Sequence, residues 1–229
     1  MIPARPAGER EMTPMNPGID KDRVEALYQT RFLKFYDLQY APGKHYYQVS
    51  RRESPDLVVR LEDEAFRQML PDAVTIAVVL HLPEREPLLL MSYEYRYPIG
   101  QFLLSPVAGL LDPADRQQPD PLRSAAVREI HEETGLTVRE SDPVYLLNPC
   151  VFSSPGMTDE CNAFLCAEIT LDSTDSLSQD GAEGTELFDG FELLDRARAK
   201  LIFDTGRDEH GNFYSLSTWA VLAAFLGRF

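Results

Sequence analysis

Blocks of apolar and polar positions lay out most of the chain. AVTIAVVLHL (73 to 82) and PLLLMSYEYRY (87 to 97) are β-branched or aliphatic runs flanking the turn-like PEREP, which predicts a hairpin with at least one buried strand. QFLLS (101 to 105) predicts a further strand, and VAGLLDPADRQQPD a polar loop. That loop stops at a sharp helix signal. Asp120 as N-cap and Pro121 at the first helical position predict a helix from Pro121 to Thr134, ended by a left-handed cap at Gly135. Beyond it VYLLNPCVF, ECNAFLCAEI and ELFDGFELL read as strands, with the acidic, Gly/Ser-rich LDSTDSLSQDGAEGT between the last two as a mobile loop. YSLSTWAVLAAFLGRF closes the chain as an amphipathic helix whose apolar side is Leu216, Trp219, Leu222, Ala223 and Leu226. Upstream, residues 1–20 have no periodicity and predict a flexible tail. From Val24 a short helical pattern precedes the aromatic-rich RFLKFYDLQY. A turn at Ala41-Pro42-Gly43 then leads into HYYQVSRR, a hairpin signal. The chain thus divides into a tail (1–20), an N-terminal β-containing unit (21–70) and a larger α/β domain (71–229).

Length changes this picture little, since 229 residues suit a domain with an accessory unit. Charge changes it more. A formal net charge of −15 repels phosphate backbones and anionic lipid, so nucleic-acid and membrane partners are not expected. No apolar core run marks a signal peptide in MIPARPAGEREMTPMNPG, and no later stretch approaches ~18 uncharged apolar residues, so a cytoplasmic protein is expected. Cys150, Cys161 and Cys166 lack metal-site spacing and read as small buried hydrophobes.

The candidate chemistry lies in VREIHEETGL (127 to 136). On the predicted helix Glu129 stands three residues from Glu132 and four from Glu133, so the three carboxylates project from nearly one face. In water such pairs cost a few tenths of a kcal/mol each. In a partly enclosed site of effective dielectric near 20, carboxylates ~5.5 Å apart repel by about 3 kcal/mol. A hard divalent cation such as Mg²⁺ would offset that charge, and a solvated acidic face is the alternative. Val127, Ile130 and Leu136 would pin the helix on a sheet and so direct the glutamates.

Gly109, Asp120 and the run Arg128-Glu129-Ile130-His131-Glu132-Glu133-Thr134-Gly135-Leu136 resemble the signature of Nudix hydrolases. REIHEETGL matches at every specified position. The first half departs from it: the interval from Gly109 to the helix is five residues longer than usual, and Asp120 stands eight before Arg128 where the family has glutamate. The resemblance implies an α/β/α sandwich with a mixed sheet, and metal-assisted hydrolysis of a nucleoside diphosphate linked to a further group. By matching positions Glu129 and Glu133 would be the main metal ligands. Glu132 would share a second metal, the Ala108 carbonyl would complete the site, and Arg128 would orient the glutamates.

YEYRYPIGQFLLSPVAGLLD and SSPGMTDE (153 to 160) further resemble the ADP-ribose pyrophosphatase branch, whose properties would carry over position by position. Arg96 and Arg51 would hold the diphosphate, with ion pairing to Glu94 the competing reading for Arg96. Phe32 and Tyr46 would stack the adenine, core packing being the competing reading. Glu186, or else Glu183, would position the attacking water. Two or three Mg²⁺ ions (or Mn²⁺), a nucleotide-sugar substrate and a homodimer are implied. ADP-ribose would give AMP and ribose 5-phosphate. GDP-mannose or another nucleotide sugar is the alternative substrate, and a non-catalytic nucleotide-binding module the alternative class.

Overall fold

A computed structural model of the chain describes residue 19, residues 23–181 and residues 186–229. These divide into two compact units: the described residues up to Arg67 together with Gly156–Asp159, and Gln68–Pro155 with Glu160–Phe229.

The first unit is a three-stranded antiparallel sheet, β1 (Val24–Gln29), β2 (Lys34–Ala41) and β3 (Lys44–Ser50) in that order. The helical pattern expected from Val24 is instead strand β1. Six residues are too few for a stable isolated helix, and the Thr30 turn hands the segment an antiparallel partner: Thr30 N–H donates to Leu33 O, and Thr30 Oγ1 accepts from the Phe32 and Leu33 amides. The β2–β3 hairpin turns at Gly43, whose φ of 67° suits glycine. Tyr36, Leu38 and Leu57 form a small core. Gly156–Asp159, the end of the SSPGMTD turn, folds with this unit: Gly156 O accepts from Tyr46 Oη at 2.6 Å, Met157 O from Val49 N at 3.0 Å, and Asp159 Oδ2 from Val58 N at 3.2 Å. A short helix, α1 (Asp63–Gln68), ends the N-terminal stretch.

The second unit is built on a mixed sheet with, among the described residues, seven strands: β4 (Ala73–His81), β5 (Leu88–Arg96), β6 (Gln101–Ser105), β7 (Val107–Leu110), β8 (Val144–Phe152), β9 (Cys161–Thr170) and β10 (Phe188–Leu194). The main order is β10-β5-β4-β9-β8, with β6 on β5 and β7 on β4. β4 and β9 run parallel; the other pairs are antiparallel. Strand alternation makes the layers. Val74, Ile76, Val78 and Leu80 of β4 share a core with Ala125, Ala126 and Ile130 of α2 (Pro121–Thr134). Ala77 and Val79 share the opposite core with Ala199 and Ile202 of α3 (Arg196–Thr205) and Val221, Leu222 and Phe225 of α4 (Leu216–Arg228). The expected α/β/α sandwich with a mixed sheet is therefore present, with a β unit before it.

The last helix is rotated from the predicted face. Thr218, Val221, Leu222 and Phe225 are buried, while Leu216 and Trp219 are exposed. Thr218 Oγ1 donates to Leu104 O at 2.6 Å, which fixes the rotation, and Trp219 stacks on Phe203 at the rim. Cys161 and Cys166 are buried and Cys150 partly so, and all three are free thiols. Among the described residues no helix is long and apolar enough to cross a membrane.

Candidate active site

Helix α2 forms as its local signals dictate. Asp120 Oδ1 accepts from Arg123 N at 3.1 Å, Pro121 occupies the first turn, and Gly135 ends the helix at φ 71° with its N–H on His131 O. Its buried stripe is not wholly apolar: Glu129 and Glu133, 5% and 4% exposed, lie on it beside Ala126 and Ile130. A solvated acidic face is thereby excluded for these two, whereas Glu132 is about one-third exposed.

Strand β7, which lay in the predicted polar loop, receives them. Its pairing with β4 (Thr75↔Ala108, Val74↔Gly109) fixes the backbone beside α2. The Ala108 N–H donates to Glu133 Oε1 at 3.1 Å. The Glu129 carboxylate rests on Gly109, where any Cβ would collide with it. The glycine is required by that close approach rather than by its dihedral angles.

Arg128 ties the cluster together. Its Nη1 lies 2.8 Å from both Glu129 Oε1 and Glu132 Oε2, and its Nη2 donates to Leu110 O at 2.8 Å and to Asp115 Oδ2 at 2.9 Å. Asp115, 3% exposed, also accepts from Ser124 Oγ and the Asp112 amide. Burial opposes its ionisation, but the Arg128 and Ser124 hydrogen bonds outweigh that and hold it below the usual carboxylate range. Sequence reading missed Asp115. It stands six residues after Gly109, the spacing that remains when the five extra residues are placed between it and the helix. The acidic contact to Arg128 thus belongs to Asp115, and Asp120 serves as the helix cap.

Burial raises Glu129 to about 7, with Arg128 pulling it down and Glu132 and Glu186 adding to the rise. Burial likewise holds Glu133 well above the usual range, against the Ala108 hydrogen bond and with Glu129, Glu94 and Glu186 contributing. Glu94, expected only as an ion-pair partner for Arg96, is a mostly buried carboxylate on β5 raised by burial and by Glu186, with Arg96 opposing. Four carboxylates, Glu94, Glu129, Glu133 and Glu186, thus share one electrostatic neighbourhood.

Among the described residues no three His, Cys, Asp or Glu already converge as a metal-ligand set. Arg128 holds Glu129 and Glu132, and Glu133 is committed on one side to Ala108. The donor chemistry nonetheless fits a hard divalent cation: buried carboxylates crowded by other carboxylates gain most from one, and all the donors are oxygens.

Arg96, at the end of β5, pairs with Glu94. Arg51, Phe32 and Tyr46 lie in the first unit. Arg51 O accepts from Lys34 Nζ, while Phe32 and Tyr46 are 67% and 46% exposed, which rules out core packing for both. Glu186 is exposed, just ahead of β10; Glu183 lies outside the described residues.

No protein-family model matches the chain. It is 26% identical over 153 residues to an uncharacterized Nudix hydrolase of Schizosaccharomyces pombe, covering 66% of this chain and 69% of that protein. It is 31% identical over 83 residues to a putative Nudix hydrolase of Caenorhabditis elegans, covering 36% of this chain and 34% of that one. Both relatives are named as Nudix hydrolases, the family whose signature residues 128–136 resemble.

Proposed function

We propose that this chain is a cytosolic Mg²⁺-dependent hydrolase of nucleoside diphosphates linked to a sugar, with ADP-ribose as substrate and AMP and ribose 5-phosphate as products. The observation that carries the reading is the burial of Glu129 and Glu133 against the Ala108–Gly109 backbone, an arrangement a purely structural helix has no reason to maintain. Burying two carboxylates with a third beside them costs several kcal/mol unless a ligand repays it.

In this reading Glu129, Glu133, Glu132 and the Ala108 carbonyl hold two or three Mg²⁺ or Mn²⁺ ions, which when bound acidify water and neutralise phosphate charge. Arg128 orients Glu129 and Glu132 while Asp115 anchors its other edge. Arg96 releases Glu94 to take a diphosphate oxygen pair, and Arg51 takes another, since planar guanidinium forks suit phosphate. Phe32 and Tyr46 offer aromatic faces to adenine, and the N-terminal unit pairs two copies into a homodimer. Glu186, with Glu183 as second candidate, accepts the proton of the attacking water; its place within the carboxylate field favours it.

A panel of ADP-ribose, GDP-mannose and other nucleotide sugars, read by the identity of the released nucleotide, tests the reading. Glu133→Gln should lower kcat by about 10³-fold or more. Hydrolysis by Glu133→Gln at the parent rate would sink the metal assignment. Turnover of GDP-mannose but not ADP-ribose would move the substrate to the alternative branch, and no turnover of any member would favour a binding module.

A further inference from the structure

The expected mobile loop between β9 and β10 is seated at both ends by described residues. On the β9 side, Leu171 and Leu177 pack into the α2-side core, and the Ser178 N–H donates to Thr134 O at 3.0 Å, capping the last turn of the glutamate helix. Gly181 passes so close to Glu132 that a Cβ would come within 2.5 Å of the Glu132 carbonyl oxygen. On the β10 side, Leu187 O accepts from the Tyr95 amide at 2.8 Å and Phe188 pairs with Glu94, which sets Glu186 beside the acidic end of β5.

One side chain joins the two ends. Gln179 Oε1 accepts from Gly190 N at 3.1 Å and its Nε2 donates to Gly190 O at 3.4 Å. Gly190, at φ 81°, sits in the register shift of β10 between Phe188 and Phe191, where a bulge takes backbone groups out of the ladder. A carboxamide is suited to such a residue because it offers a donor and an acceptor together. Glu186 lies four residues before Gly190, joined to it through Leu187 and Phe188, which the β5 backbone holds.

We propose that Gln179 is a positioning residue for Glu186, tying the bulge of β10 that follows Glu186 to the stretch that caps the last turn of α2. The inference rests on the reading of Glu186 as the group that receives the proton of the attacking water. It assigns the placement of that carboxylate to a glutamine that bonds the Gly190 backbone, with Gly181 allowing the close seat on Glu132.

A double-mutant cycle tests it. Gln179→Ala, Glu186→Gln and the double variant are assayed as full-length protein with Mg²⁺ and ADP-ribose, kcat and KM measured separately and Tm recorded. Gln179→Ala should lower kcat at least about 10-fold, with KM within about threefold and Tm within about 3 °C. In the Glu186→Gln background the same substitution should cost less than about twofold, because the group it positions is already gone. Gly181→Ala, which forces the seat to shift, should give the same pattern. Equal costs of Gln179→Ala in both backgrounds would overturn the proposal, marking a general packing effect. A Gln179→Ala enzyme at parent kcat beside a disabled Glu186→Gln would overturn the positioning role alone. Glu186→Gln at parent kcat would remove the underlying reading, and this inference with it.

Discussion

Gly109→Ala isolates the contact that makes the site. The added methyl would lie about 1 Å inside the 3.0 Å limit of real Cβ contacts, against the Glu129 carboxylate. Neither backbone can yield cheaply: β7 is paired to β4 on one side, and α2 is anchored by the fully buried Ile130 on the other. The flexible carboxylate end must therefore withdraw by about 1 Å, losing its 2.8 Å contact with Arg128 Nη1. That loss, of a hydrogen bond between charged groups, costs about 1.5–3 kcal/mol, and alanine in place of glycine in a strand returns about 0.5–1 kcal/mol, so the net destabilisation should be about 0.5–2.5 kcal/mol. A displacement of about 1 Å at a reacting site costs about 100-fold, or about 2.7 kcal/mol of barrier. The assay is kcat/KM for ADP-ribose at saturating Mg²⁺ beside a urea melt, with Mn²⁺ affinity followed by calorimetry. A Gly109→Ala enzyme within threefold of parent kcat/KM would refute the claim that this close approach sets the glutamate geometry, as would an activity loss that merely tracks unfolding.

The two acidic residues ahead of α2 should part company. Asp115→Ala leaves Arg128 without its most buried partner and should cost about 2–4 kcal/mol in denaturant melts and also lower kcat, whereas Asp120→Ala should cost about 1 kcal/mol with kcat unchanged. Equal kinetic effects would refute the division of roles. In chelator, stability should depend on pH through Glu129, whose folded value of about 7 stands above the ordinary 4.5. Its contribution is fully present below pH 4.5 and lost as pH rises through 7, because the folded chain keeps a proton that the unfolded chain has released. The span is 7 − 4.5 = 2.5 units, or about 3 kcal/mol. The stability of Glu129→Gln relative to the parent should therefore improve by about 2–3 kcal/mol between pH 5 and pH 8. A difference that is flat with pH would refute it.

What the sequence revealed divides along the range of the interactions. Helix α2 was legible from end to end because its cap, proline and left-handed glycine act within a turn of their own positions. The hairpin β4–β5 and strands β6 and β8 were legible because their apolar blocks need no knowledge of the partner. Helix α3 carried the same local signals, Asp195 as cap and Gly206 at φ 68°, but its mixed sequence RARAKLIFDT shows no clean apolar stripe. Asp115 and Glu94 belong to the site only through the path of a loop and the β5–β10 pairing, which no local pattern encodes. The rotation of α4 was set by one hydrogen bond, Thr218 to Leu104, across a long sequence separation.

The parallel pairing of β4 with β9, along the whole of β4 from Ala73↔Asn162 to His81↔Thr170, also governs how the molecule comes into being. The two central strands can meet only after the chain between His81 and Cys161 has been gathered up, and α2 and β7 lie within that excursion. Such non-local closure is slow, since its entropy is lost before its contacts are gained. The glutamate helix is thus delivered inside the loop whose closure completes the sheet. A fragment ending before β9 lacks the strand that pairs with β4 along its whole length, and a chain emerging from the ribosome presents α2 before β9 has followed it out.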